Sequence, residues 1–231
     1  MIDHYDWSGG REAMVRFGPD SGPVVIMLLP LFEEHNRTRT FAVTICRALA
    51  DLGVASILPD LPGQGESVLP TEQATLGRWR AAIASIAEAE RNRRRVYLAS
   101  FRAGAVLDGN EAAAGVWRLS PITGQTALAD LQRAEAVGGK RDWDALGPED
   151  APVQLAGNAI GWPLYAALRA DAVLIEPQAP HRTVRLDSDP AIADIKFPGT
   201  PLWRRAEPGN HPALARALAS DIADWVRSCE S

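Results

Sequence analysis

The sequence predicts an α/β protein, a mostly parallel, doubly wound sheet with helices on both faces, organised as a single domain over residues 1–231. Two observations carry this. Strand-like apolar runs alternate with runs of helical period along most of the chain, the order expected of strand–helix–strand units. In addition, Val24–Leu29 is an unbroken apolar run of the kind buried on both faces of a parallel sheet. A hydrophobic fraction of 46% and a charged fraction of 23% allow a full core.

Each element follows from its own signal. Glu12–Phe17 reads as an early edge strand, closed by the turn residues Pro19-Asp20-Ser21-Gly22. After Val24–Leu29, a helix is expected over Thr38–Leu52, with Phe41, Ile45, Ala48 and Leu49 on one stripe and Gly53 ending it. Val54–Leu58 is the next strand and Thr71–Arg91 a long helix, whose basic end (Arg91, Arg93, Arg94, Arg95) reads as a solvated terminus complementing the helix dipole. Arg95–Leu98 is strand, Ala103–Ala113 helix and Gly115–Leu119 strand. Residues 120–180 lose the alternation, contain Gly138-Gly139 and a helix-like run Pro163–Ala170, and read as a lid inserted over the carboxyl ends of the strands. Strands are expected again at Thr183–Leu186 and Pro201–Ala206, and an amphipathic helix at Pro212–Arg227.

Composition narrows the function classes. A net charge of −5 argues against nucleic acid as the main partner. No apolar run is long enough to span a bilayer, and Met1–Gly10 lacks the apolar segment of a signal peptide, so a cytoplasmic protein is expected. Cys46 and Cys229 are expected as reduced thiols. No residues show metal-ligand spacing, and neither a metal nor a cofactor is expected.

The chemistry-bearing stretch is Ala99-Ser100-Phe101-Arg102-Ala103-Gly104-Ala105, between a strand-like and a helix-like run. It has the form of a nucleophile elbow, G-x-S-x-G, where small residues two before and two after the apex permit a sharp strand-to-helix turn. Ser100 and Gly104 are those small residues. The apex is Arg102, and a guanidinium, charged at neutral pH, is no nucleophile. Upstream, Asp60-Leu61-Pro62-Gly63-Gln64-Gly65-Glu66-Ser67 forms a D-x-x-G-x-G-x-S loop in which glycines permit tight turns and Asp60 and Ser67 can bond the backbone.

With Arg102 at the elbow, Asp189 (or Asp187) follows the Thr183–Leu186 strand where a triad acid would stand, and His211 opens the last helix where a triad histidine would stand. His4, His35 and His181 read as surface residues. The segment Pro30–Arg39 brings Glu33, Glu34, Asn36 and Arg37 beside the elbow as candidate ligand-binding residues. Glu33 or Glu34 would compensate Arg102, whose charge is otherwise costly to bury. Trp143 and Trp162 are candidates for lining a pocket or for ordinary packing.

Pro30-Leu31-Phe32-Glu33-Glu34-His35-Asn36-Arg37-Thr38-Arg39 resembles the P-P-F-x-E-E-x-N-x-x-R signature of the exosortase A system-associated hydrolase 2 family, departing from it at Leu31 and His35. The Asp60–Ser67 loop, Phe101–Ala105, Val153–Gly157 and Leu202–Pro208 are similar to further segments of that family, and the match covers most of residues 24–225. The resemblance implies an α/β-hydrolase fold and an association with PEP-CTERM protein sorting and exopolysaccharide systems. It also implies an elbow commonly carrying Arg in place of Ser. Three readings stay open. The chain is a hydrolase-fold protein that binds a small, possibly anionic ligand through Arg102. Alternatively, it is an active ester, thioester or amide hydrolase using a displaced nucleophile (Ser100, Ser67 or Ser120) or a water activated by His211 with Glu34 or Asp189. The third reading is a non-catalytic subunit that contacts sorting-system proteins.

Overall fold

A computed structural model describes residues 1–109, 113–135 and 142–230. Eight strands form one sheet: β1 (Ile2–Trp7), β2 (Gly10–Phe17), β3 (Val24–Leu28), β4 (Ala55–Pro59), β5 (Val96–Phe101), β6 (Gly115–Leu119), β9 (His181–Leu186) and β10 (Ile195–Phe197). Their order across the sheet is β1-β2-β4-β3-β5-β6-β9-β10, antiparallel at the β1–β2 and β2–β4 pairings and parallel elsewhere. A separate hairpin pairs β7 (Val153–Leu155) with β8 (Asn158–Ile160).

The alternation along β3 explains the double winding. Val24, Ile26 and Leu28 face a core built with α2 (Leu76–Arg91), α3 (Gly124–Glu135) and α4 (Trp162–Ala170). Val25, Met27 and Leu29 face the opposite core, built with α1 (Glu33–Asp51) and α5 (Pro212–Glu230). The chain leaves β3 towards β4 and then returns past it to β5. The carboxyl ends of β3 and β5 therefore flank the point where strand order reverses, where open α/β sheets form a crevice.

Several elements depart from the sequence expectation. The edge strand is β1, not Glu12–Phe17, because Tyr5 in the polar N-terminal segment is buried and its hydroxyl donates to the Asp60 carbonyl at 2.6 Å. Helix α1 starts at Glu33, earlier than expected. Phe32 turns the chain sharply at φ 58°, and Glu33 and Glu34 in the first turn suit the positive end of the helix dipole. The expected Thr71–Arg91 helix is a short 3-10 turn, Thr71–Gln73, followed by α2, whose start Thr75 caps by accepting from the Arg78 amide. Pro201–Ala206 is not a strand; it holds a 3-10 turn at Leu202–Arg204, and the last strand is the three-residue β10, too short and too polar to register as a run. Arg94 is not solvated: its side chain is 6% exposed and pairs with Glu90 at 2.6 Å. His35 is buried rather than at the surface. After the elbow, a 3-10 helix covers Arg102–Leu107; the expected continuation over residues 110–112, and Gly138-Gly139, lie outside the described residues. Cys46 and Cys229 are free thiols. No helix among the described residues is long and apolar enough to cross a membrane.

The segment between β6 and β9 carries α3, the β7–β8 hairpin and α4. Its residues Leu128, Leu131, Leu155, Leu164 and Leu168 belong to the same apolar cluster as α2.

Gly104 is a point of very close backbone approach. A Cβ built there would stand 2.3 Å from the Leu28 carbonyl oxygen and 2.8 Å from that of Leu29, both backbone atoms of β3 and its exit. Gly104→Ala is therefore expected to destabilise the protein by about 3 kcal/mol in urea denaturation. Gly109→Ala, with nothing within 4 Å of the added carbon, should change stability by no more than about 0.5 kcal/mol.

Candidate functional site

Strand β5 delivers Arg102 to the carboxyl edge of the sheet in a left-handed conformation, φ 53°, uncommon for a residue with a side chain and characteristic of a sharp, strained turn. The guanidinium is nearly buried, its side chain 9% exposed, and it is compensated on one edge. Nε donates to Glu34 Oε2 at 3.2 Å and Nη2 to Glu34 Oε1 at 3.3 Å, a bidentate pairing; Nη2 also reaches Asp130 Oδ2 at 3.4 Å. The Trp203 ring covers the guanidinium, with the central carbon 5.1 Å from its centroid, a cation–π contact. Nη1 has no hydrogen-bond partner among the described residues.

Burial raises the Glu34 carboxyl above its usual range, and Arg102 only partly opposes this. Glu33 is raised for the same first reason, against a hydrogen bond from the Asn158 amide. Arg37 donates from Nη1 to the Trp203 carbonyl at 3.2 Å, tying α1 to the loop that carries the indole. Asn36 is exposed on the far side of the same turn and lines a different cavity.

Arg102 opens onto a cavity of about 380 Å³ lined also by Ser120, Asp130, Arg133, Arg185, Asp189 and Arg204. Asp189 is thus brought to the same cavity as Arg102, paired with Arg185 at 2.7 Å. Burial would raise its carboxyl, but the Ala191 amide and Arg185 outweigh that and hold it below the usual range. Asp187 does not line the cavity. His211 is not brought to it either. It starts α5, where its Nδ1 accepts the Leu214 amide at 3.1 Å, the place of an N-cap. A triad imidazole instead donates from Nδ1 to its acid. The aromatic group that the 201–211 loop lays over the elbow is Trp203.

The displaced nucleophiles differ. Ser100 is fully buried and donates to Asp108 Oδ2 at 2.6 Å; Asp108 is gripped in turn by Arg118 at 2.6 and 2.8 Å. That hydroxyl supports a buried ion pair beneath the elbow. Ser67 Oγ accepts from the Gly63 and Leu69 amides and shapes its own loop. Ser120, at φ 44°, lines the Arg102 cavity and its Oγ has no partner. Among the described residues no group of His, Cys, Asp and Glu is arranged to hold a metal ion.

Sequence reasoning missed Asp130, Trp203 and the cavity arginines. Asp130 sits on α3, where no periodic signal was read. Trp203 and Arg204 lie in a segment read as strand, and the turn found there is what points the indole at Arg102.

No family model matches the chain and no curated protein matches it by sequence. Solved structures do. Est1E from Butyrivibrio proteoclasticus, in its ferulic acid complex, is 16% identical with a TM-score of 0.67, covering 98% of this chain and 99% of that one. Alpha/beta hydrolase domain-containing protein 10 from mouse is 16% identical with a TM-score of 0.61, covering 99% of each chain. XC6422 from Xanthomonas campestris, described as a serine hydrolase without lid, is 16% identical with a TM-score of 0.56, covering 97% and 94%. Likeness at this level of identity shows the fold, and the chain has the α/β-hydrolase fold.

The Arg102–Glu34 pair has a measurable consequence. With the folded Glu34 carboxyl raised, its ionisation costs stability as pH climbs from the ordinary carboxylate value through the raised one. Arg102→Met removes the opposing charge, so that loss deepens. The variant is expected to be about 2 kcal/mol less stable than wild type at neutral pH. The deficit should shrink towards about pH 4, where Glu34 is protonated; urea denaturation across that range would detect a deficit that does not change.

Proposed function

We propose that the protein binds a small anionic ligand, a carboxylate or a phosphate ester, in the cavity over Arg102, and does not run Ser-His-Asp catalysis at its elbow. The observation that carries this reading is Arg102, its Nη1 without a hydrogen-bond partner among the described residues, in the lining of a cavity with four arginines (Arg102, Arg133, Arg185, Arg204) and two aspartates (Asp130, Asp189). Arg204 has no side-chain ion pair among the described residues, so it is available to a ligand. Nη1 keeps its hydrogens for the oxygens of an anion, while Glu34 and Asp130, on Nε and Nη2, fix the direction in which it presents them.

The fold is one that many hydrolases use, and fold alone does not carry activity. A hydrolytic reading is favoured by one observation, the buried, unpartnered hydroxyl of Ser120, a residue in the lining of the same cavity. It lacks a poised base, since Asp189 is engaged by Arg185 and His211 caps α5. The motif resemblance supports a setting in exosortase and exopolysaccharide systems and contact with sorting-system proteins. In that setting a ligand-binding or purely interacting role needs no nucleophile.

Calorimetric titration with phosphate and with malonate should show binding to the wild-type protein. Arg204→Ala should weaken it about fivefold with an unchanged melting temperature. A panel of esters and thioesters should show no turnover. Turnover abolished by Ser120→Ala would replace this reading with the hydrolytic one, and the absence of heat with either anion would remove it.

A further inference from the structure

A second cavity, of about 350 Å³, lies between the Gly-rich loop after β4 and the first turn of α1, and it shares no lining residue with the Arg102 cavity. Its chemistry is the opposite. The polar side chains that line it are Asn36, Gln64, Ser67, Thr71, Asn158 and His35, and no Asp, Glu, Lys or Arg is among its lining residues. His35 is neutral, because burial and the neighbouring Arg39 push its pKa down to about 4. Two of the charged groups beside its lining are engaged elsewhere: Arg39 pairs with Asp60 at 2.6 Å, and Glu33 takes the Asn158 amide.

What remains open on the walls is a mixture of donors and acceptors. Ser67 Oγ accepts two backbone amides, at 2.9 and 3.2 Å, which leaves its hydrogen to donate. Thr71 Oγ1 donates to the Gly63 carbonyl at 3.0 Å, which leaves its lone pairs to accept. Asn158 spends its amide nitrogen on Glu33 and on the Leu155 and Ala156 carbonyls, leaving its oxygen. Gln64 is the unusual member. Its amide nitrogen and oxygen are both shut away from water and neither has a partner. An amide left so costs about 1–3 kcal/mol for each unmet group. Gly65 beside it sits at φ +60° with its Cα hydrogens against the Asp60 carboxylate, where a Cβ would stand 2.6 Å away, so the loop is held from its other side. A rotation of the Gln64 side chain into the cavity that it already lines would meet its hydrogen bonds on a ligand.

We infer that this cavity is a binding site for a neutral, hydroxyl-rich molecule of monosaccharide size. A hydroxyl both donates and accepts, which suits walls where the two are interleaved. An ion would lose its hydration with no countercharge to replace it. Phe32 and Val68, in the same lining, offer apolar contact for the carbon–hydrogen face of a sugar ring.

The test is saturation-transfer NMR on the full chain with glucose, mannose, N-acetylglucosamine and, as the charged comparison, glucuronate. At least one neutral sugar should give a signal. Gln64→Leu should weaken that binding about tenfold while leaving the melting temperature equal to or above wild type, since it removes an unsatisfied amide. Asn36→Ala, at an exposed position, should weaken it without loss of fold. No signal from any neutral sugar would overturn the inference. So would a lower melting temperature in Gln64→Leu with binding retained, or glucuronate binding that depends on Gln64.

Discussion

The structure depends on the close approach of the elbow to β3. Gly104 lies against the Leu28 and Leu29 carbonyls so tightly that no side chain fits between them. At the same turn Arg102 is held in a left-handed conformation, φ 53°, with its guanidinium over the carboxyl edge of the sheet. Everything at the site follows from this projection. Phe32, turning at φ 58° just beyond β3, brings Glu34 to meet the guanidinium on one edge. The turn at Leu202–Arg204 brings Trp203 to meet its face.

A charge placed in so confined a position has to be satisfied from several elements at once. Below the elbow, Ser100, Asp108 and Arg118 form a buried set whose arginine also binds the Ile175 carbonyl at 2.8 Å. Above it, Arg102 is held by α1, α3 and the turn before α5 through Glu34, Asp130 and Trp203. The two sets are separate, and together they clamp β5 to its neighbours through geometry that only paired charges supply. The seryl hydroxyl two residues before the apex belongs to the lower set, where it donates to Asp108.

The two cavities differ in their chemistry. One is lined by arginines and aspartates, the other by amides and hydroxyls. Arg37 is tied to the carbonyl of Trp203, which lines the first, and Asn36 lines the second. Glu33 and Glu34, adjacent in sequence, are divided between the two, one holding Asn158 and the other Arg102.

Much of the fold was legible because apolar periodicity is a local property. The buried strands β3, β4, β5 and β6 and the stripes of α1 and α5 are visible in the order of residues alone. So was the elbow, since its small residues and its apex are contiguous, and so was a carboxylate from Glu33 or Glu34 on Arg102, which follows from an uncompensated buried charge beside two carboxylates; that it is Glu34 was not. Strands β1 and β10, helix α3 and the β7–β8 hairpin were not, because half-buried edge strands and short elements acquire their pattern only from the neighbours that cover them. Nor could spacing show that Trp203 and not His211 reaches the elbow, or that Gln64 is left unpaired. The contact between residues 102 and 203, and the meeting of residues 36 and 64 in one cavity lining, arise from the path of the chain through space. By itself the sequence determined the sheet, the elbow and the residue at its tip. The tertiary structure decided which distant side chains meet that residue, because a short turn in place of a strand redirects every side chain upon it.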